Sequence, residues 1–399
     1  MSEKLVITGM GAVTPIGIGV DSYWNALLDG ACGIAPITRI NTDSLTVKAA
    51  AEVKGFNPRD YLSSRLSTDL DTFMQYAFVA AEEALAQSGL EAKGDRVGVI
   101  MGTALNGLAL TGASQEALSV RGKHVGPRFV SQIMGNIAAS QLAIAHGITG
   151  PCLSVSTACS SGGDAIATGA MLLSAGDADA IVVMAGEAAV SPLLIESLTR
   201  AGALSKTGRS LPFDANRDGF VVGEGGGAVI LETESHALGR GAVILAELAG
   251  WGNNTDAYHT VSPEPSGKGA AACMGIALRR AGMTPDEIDY VNAHGTATHA
   301  GDIAETCALK AVFGSRAVPV SSTKGATGHM MGAGGVTETI TCIKAIATGT
   351  LPPCTGCTER DSECDLNIIM RPERAQVNAA MSNALGFGGQ NSCIIVRRY

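Results

Sequence analysis

The chain has 399 residues, 51 of them glycine, with 46% hydrophobic and 16% charged residues and a formal net charge of −9. That length and balance allow a large core of closely packed α/β layers in two or three domains and exclude a disordered chain, while the acidic charge without a long basic run excludes a nucleic-acid ligand. No apolar stretch approaches the ~20 residues of a membrane span, MSEKLVITGMG is unlike an export signal, and ten cysteines without framework spacing read as free thiols of a reducing cytoplasm.

In chain order, GMGAVTPIG (9–17) reads as a strand followed by a turn. ALAQSGL (84–90) reads as the end of an amphipathic helix closed by a glycine, and DRVGVIMGTA (95–104) as a buried strand running into a Gly-Thr turn. The same unit returns as ALRRAGM (277–283) and IDYVNAHGTA (288–297), with Ala84, Gly89 and Gly102 matching Ala277, Gly282 and Gly295 at one offset of 193 residues. A second unit, SVSTACSSGGDAIATGAMLLSAGDAD (154–179), is echoed by VSSTKGATGHMMGAGGVTETITCIKAIATGTLP (320–352), each helix closed by a glycine, Gly176 or Gly349. The chain therefore reads as two pseudo-equivalent α/β halves, residues 1–240 and 241–399, packed around a shared core.

The chemically promising segments lie at strand-to-helix turns, where α/β proteins build their sites. In VSTACSSGG (155–163) small neighbours lift Cys159 out of a strand, and the helix N-terminus beyond it is expected to lower the thiol pKa. His294, before Gly295-Thr296-Ala297-Thr298, and His329, in SSTKGATGHMMGAGG (321–335), occupy turns of the same kind. They suit a thiol nucleophile in need of a base and an enolate in need of donors. His124, His146, His236, His259 and His299 have no such setting. Lys324 is expected to bring a positive charge into the same pocket, with Glu338 neutralising it from the following helix. In MSNALGFGGQNS (381–392), glycines on both sides let Phe387 act as a gate, and its N–H, with that of Cys159, would form an oxyanion hole.

Two further patterns carry no site. Cys354 and Cys357 form a CxxC without a second ligand pair, so no metal or redox centre is expected. Gly223 to Gly227 lack the strand–helix context of a dinucleotide fingerprint.

Taken together, TACSSG, NAHGTAT, STKGATGH and GFGGQN, with FDANRDGFVVGEG (213–225) and DAYHTVSP (256–263), resemble the β-ketoacyl-[acyl carrier protein] synthase family. The similarity is to its elongating, type II members and covers essentially the whole chain. It implies a thiolase-like, duplicated five-layer αβαβα fold and a homodimer, or a heterodimer with a related chain. It implies an acyl chain carried on Cys159 and decarboxylative condensation with malonyl-[acyl carrier protein], in fatty acid or specialised polyketide or polyene synthesis. Catalytic roles would fall to Cys159, His294, His329 and Lys324, with Glu338 supporting. Thr296 and Thr298 would bind the phosphopantetheine arm, and Leu105 would limit the depth of the acyl pocket. No organic cofactor is implied on the enzyme; Asn292, Glu338, Ser382 and Asn383 match a structural Na+ or K+ site of some relatives.

The chain departs from the family pattern at Leu385, where a phenylalanine is usual, and in DYLSSRLSTDLDTF (60–73), where only Arg65 remains of a basic carrier-docking segment. Two other readings stand beside the synthase. A non-catalytic chain-length partner would lack the active cysteine, and a thiolase acting on coenzyme A esters would carry a second cysteine in a C-terminal turn, whereas Cys393 lies in a strand-like NSCIIV.

Overall fold

The structure, a computed structural model, describes residues 3–399. Its first half contains strands β1 (Leu5–Thr14), β2 (Val97–Gly102), β3 (Cys152–Val155), β4 (Ala180–Glu187) and β5 (Gly225–Thr233). Its second contains β6 (Ala246–Thr255), β7 (Tyr290–Asn292), β8 (Pro319–Ser321), β9 (Ala379–Gly386) and β10 (Gln390–Arg397). Across the first sheet the strands run β3-β2-β4-β5-β1, and across the second β8-β7-β9-β10-β6. Both therefore follow the order third, second, fourth, fifth, first, with the fifth strand antiparallel to both neighbours. The two sheets meet where Leu5, Val6 and Ile7 pair with Leu248, Glu247 and Ala246.

Strand alternation explains the layering. Ile181, Val183 and Ala185 of β4 face a central core shared with Val336, Ile340 and Ile394, while Val182 and Met184 face an outer one. Helix α1 (Thr72–Ser88) covers that outer face. Helices α2 (Ser161–Ala175), α3 (Lys268–Ala281), α4 (His299–Phe313) and α5 (Gly334–Thr348) follow. Of these, α3 and α4 cover the outer face of the second sheet, and α2 and α5 lie between the sheets. The result is the five-layer αβαβα arrangement expected from the duplication.

The glycines that marked the repeats end helices. Gly89, Gly176, Gly282 and Gly349 cap α1, α2, α3 and α5 in the left-handed conformation. Glycine also sets how closely α2 and α5 approach: a Cβ on Gly335 would lie 2.5 Å from the Gly163 nitrogen. This contact brings the turn before α2 and the turn before α5 together, one from each half. Gly226, from the glycine run without a dinucleotide context, packs against α1, where a Cβ would lie 2.6 Å from the Tyr76 carbonyl carbon. Cys354, Cys357 and Cys364 are free thiols in the outer core of the second half. No helix among the described residues is long and apolar enough to cross a membrane.

Candidate active site

Cys159 follows Ala158, whose φ of 53° is strained for a residue with a side chain. That turn is held by side chains around it. Thr157 Oγ1 and Ser160 Oγ both donate to Asp164 Oδ2, at 2.6 and 2.9 Å, and Ser161 Oγ donates to the Ala158 carbonyl at 2.6 Å. The residue as a whole is half-buried and lines a cavity of about 350 Å³.

Contrary to the expectation from the helix terminus, the thiol is not activated at rest. Burial pushes it up to about 12, against the opposing pull of the Lys324 charge and a hydrogen bond from the Phe387 N–H. Desolvation disfavours the charged sulfur more than the turn favours it, so a base must take its proton.

His329 is placed to do so: its Nε2 lies 3.0 Å from Cys159 Sγ. The His294 ring stands edge-on to that of His329, centroids 5.3 Å apart, and Phe220 packs edge-on against the other side of His329 at 5.2 Å. Burial holds both imidazoles well below their ordinary pKa, and the Lys324 charge pushes them the same way. Both are therefore neutral at neutral pH. Each Nδ1 is buried without a hydrogen-bond partner, so neither ring is locked in one tautomer.

The turns carrying the histidines are fixed through their backbones. Glu305 of α4 accepts from the N–H groups of His294 and Gly295, both at 2.8 Å. Asp302, one turn earlier, accepts from Phe213 and Ala297 at 2.7 and 3.1 Å. The His329 N–H donates to the Val221 carbonyl at 2.7 Å, and its own carbonyl accepts from Gly223 at 2.9 Å. FDANRDGFVVGEG is thus the strap that holds both histidine turns. The sequence reading missed Glu305, Asp302 and Asp164; the signal for the first two was a pair of acids one helical turn apart just after HGTAT.

The inner wall of the cavity is apolar, with Leu105, Leu194, Leu198, Phe220 and Met331. Its mouth carries Thr296, Thr298, Ser262, Asp256, Glu264 and Phe387. Thr296 and Thr298 hydroxyls are 3.0 Å apart. Phe387 is 39% exposed, and the Gly388 N–H ties its loop to the Thr260 carbonyl at 2.6 Å.

The family model described as "Beta-ketoacyl synthase, N-terminal domain" matches residues 2–237, and the corresponding C-terminal domain model matches residues 245–358. The chain is a member of the β-ketoacyl synthase family. It is 39% identical to the 3-oxoacyl-[acyl-carrier-protein] synthase 2 of Coxiella burnetii over 99% of both chains. Among solved structures, the ishigamide ketosynthase/chain length factor superimposes over 100% of both chains with a TM-score of 0.95 at 31% identity. A type II polyketide ketosynthase, solved in complex with its acyl-carrier protein, superimposes over 100% of both chains with a TM-score of 0.91 at 29% identity.

Within this synthase, Lys324 sits apart from the expected pocket position. It is 1% exposed, outside the cavity lining, and its Nζ lies 2.5 Å from Glu338 Oε1, itself 2% exposed. Buried outside the lining, it lowers the pKa of both histidines through its positive charge. Leu385 lines the cavity beside Phe387.

The four residues matched to a cation site do not share one face. Asn292 and Ser382 pair in register and face the central layer that carries Glu338, whereas Asn383 Nδ2 points outward to Met274 Sδ at 3.5 Å. Asn292 Oδ1 and Asn383 Oδ1 are each buried without a partner. Alternation along β9 thus splits the set, with Asn292, Ser382 and Glu338 towards the central layer and the Asn383 side chain away from it. In segment 60–73, Arg65 is paired with Asp69 at 3.3 Å, and Asp69 also receives Arg128 at 3.2 Å. Arg128 is a basic neighbour that the linear segment did not disclose.

Proposed function

We propose that the chain is an elongating 3-oxoacyl-[acyl carrier protein] synthase, and that Cys159, His294 and His329 carry its chemistry. The observation that supports this most directly is the 3.0 Å contact of His329 Nε2 with Cys159 Sγ, beside a second neutral histidine on an apolar cavity. In the first half-reaction Cys159 Sγ attacks the acyl thioester carbonyl while its proton passes to His329. The carrier's phosphopantetheine thiol leaves, taking a proton, and the acyl chain remains on sulfur. Malonyl thioester then loses CO₂; its two electrons become an enolate whose oxygen accepts hydrogen bonds from the Nε2–H groups of His294 and His329. Carbon 2 of that enolate attacks the acyl carbonyl on Cys159, the sulfur leaves as thiolate and takes up one proton from solvent to restore the resting thiol, and a 3-oxoacyl thioester two carbons longer is released.

Neutral imidazoles serve this sequence because His329 can accept the thiol proton in one step and donate a hydrogen bond in the other, while His294 donates to the enolate. Burial keeps them neutral, and the Lys324 charge reinforces it. The Phe387 N–H would complete the oxyanion hole; Thr296 and Thr298 would hold the phosphopantetheine arm; and Leu105 would bound the acyl chain. No step involves Na+ or K+. The two strand-order repeats are consistent with a division near residue 240 into a half that brings the nucleophile and a half that brings both histidines. Ten free cysteines fit a reducing cytoplasm.

The synthase would work as a pair of chains, a homodimer or a heterodimer with a related ketosynthase-like chain. Supporting this, β3 is an unpaired edge of the sheet with Leu153 46% exposed, and the helix Leu108–Arg121 buries none of its residues. Acyl-[acyl carrier protein] and malonyl-[acyl carrier protein] supplied together to the purified chain test the reaction. Intact-mass detection of an acyl adduct on Cys159, followed by a 3-oxoacyl product, is expected. No adduct and no CO₂ release would refute the assignment, and the mass of the adduct reports the chain length. Light scattering on the chain alone separates homodimer from heterodimer.

A further inference from the structure

Glu187, at the end of β4, takes no part in the chemistry described above, yet it is fully buried beside the inner wall of the cavity. Its carboxylate is held by three backbone N–H groups from two different loops. Ala104 donates to Oε2 at 2.8 Å and Leu105 to Oε1 at 3.3 Å. Gly332 donates to Oε2 at 3.2 Å. Leu105 and Ala104 form part of the cavity lining on one loop, and Met331, just before Gly332, forms part of it on the other.

Both loops are under conformational constraint at this point. Asn106 and Met331 hold φ of 51° and 44°, a region that side chains disfavour. The loops are also in close contact, since a Cβ on Gly332 would lie 2.5 Å from the Ala104 nitrogen and 2.9 Å from Glu187 Oε2. Burial pushes the carboxyl up to about 7 against the three N–H groups that favour its charge. A buried carboxylate is costly to keep, and here its hydrogen bonds go to backbone that shapes the acyl wall.

We propose that Glu187 is a positioning residue for acyl specificity: by tying the Leu105 loop to the Met331 turn it fixes the depth of the acyl chamber. This rests on the reading of the cavity as the acyl chamber of a condensing enzyme. The carboxylate offers two oxygens to three N–H groups, whereas an amide offers one. In either orientation of a glutamine at this position at least one of the three N–H groups faces an NH₂ group, and the Leu105 loop or its tie to Gly332 is released.

The test compares wild type, E187Q and L105A in single-turnover acylation of Cys159, using a short and a long saturated acyl thioester of acyl carrier protein. The readout is the ratio of long-chain to short-chain rates, which cancels any loss common to all substrates. Because one methylene in an apolar pocket changes discrimination by about tenfold or more, the ratio for E187Q is expected to rise by at least about fivefold, in the same direction as for L105A. A ratio that stays at the wild-type value in folded E187Q while L105A shifts it overturns the proposal. If L105A leaves the ratio unchanged, the cavity is not the acyl chamber and the functional reading beneath the proposal fails instead. Should E187Q not fold, G332A, which wedges the same two loops and leaves the carboxylate intact, decides the matter: an unchanged ratio there overturns the proposal equally.

Discussion

The resting protonation state of Cys159 is the most exposed point of the proposed mechanism, and H329A probes it directly. The thiol is pushed from an ordinary 9.0 to about 12, a penalty of about 4 kcal/mol on the thiolate. At pH 7.5 only about 1 molecule in 10⁴ or fewer would then carry a bare thiolate. Reactivity must come from proton transfer to His329 at 3.0 Å, and losing such a base costs roughly 10²–10⁴ in rate. Ultraviolet difference titration of wild type against C159S is expected to give no thiolate signal between pH 6 and about 9. Alkylation of Cys159 by iodoacetamide, located by peptide mass mapping, is expected to fall by about 10² or more in H329A. A thiolate signal already present near neutral pH, or alkylation unchanged in H329A, would show that the turn before α2 ionises the sulfur without a base. Burial would then not govern the protonation of Cys159.

Two other substitutions separate the remaining roles. C159Q is expected to abolish condensation while CO₂ release from malonyl-[acyl carrier protein] persists, since the donors to the enolate are the histidines; loss of both activities in a folded C159Q protein would contradict that division. K324A leaves Glu338 buried without its partner and is expected to destabilise the fold by about 3–5 kcal/mol, whereas K324M/E338M restores most of that stability. In the double variant the positive charge that lowers the histidine pKa is gone, so both pKa values rise and the acid limb of the decarboxylation profile moves to higher pH. An acid limb that stays in place would mean that burial alone sets the histidine protonation.

Much of the architecture was legible in the residues because it rests on local rules. The glycines at 89, 176, 282 and 349 end helices wherever they are placed, since only glycine adopts the left-handed cap freely, and the 193-residue offset between matching segments carries the duplication in the residues themselves. The motifs around Cys159, His294 and His329 were likewise readable, because strand-to-helix turns announce themselves in small residues and glycine. Other features have no local signature. Glu187 acts on backbone N–H groups of two distant loops, Asp302 accepts from the distant Phe213 N–H as well as from its neighbour Ala297, and Asn383 turns away from Asn292 because strand alternation, not spacing, decides the face.

The thiol shows the division most clearly. Sequence by itself determined that Cys159 stands in a tight turn at a helix N-terminus, a setting whose local electrostatics favour the thiolate. Only the tertiary structure decided the outcome, because desolvation depends on everything packed around the sulfur. The second half of the chain places His329 against it and buries the Lys324 charge near enough to act on both histidines, and so makes a protonated thiol with neutral imidazole partners the resting state.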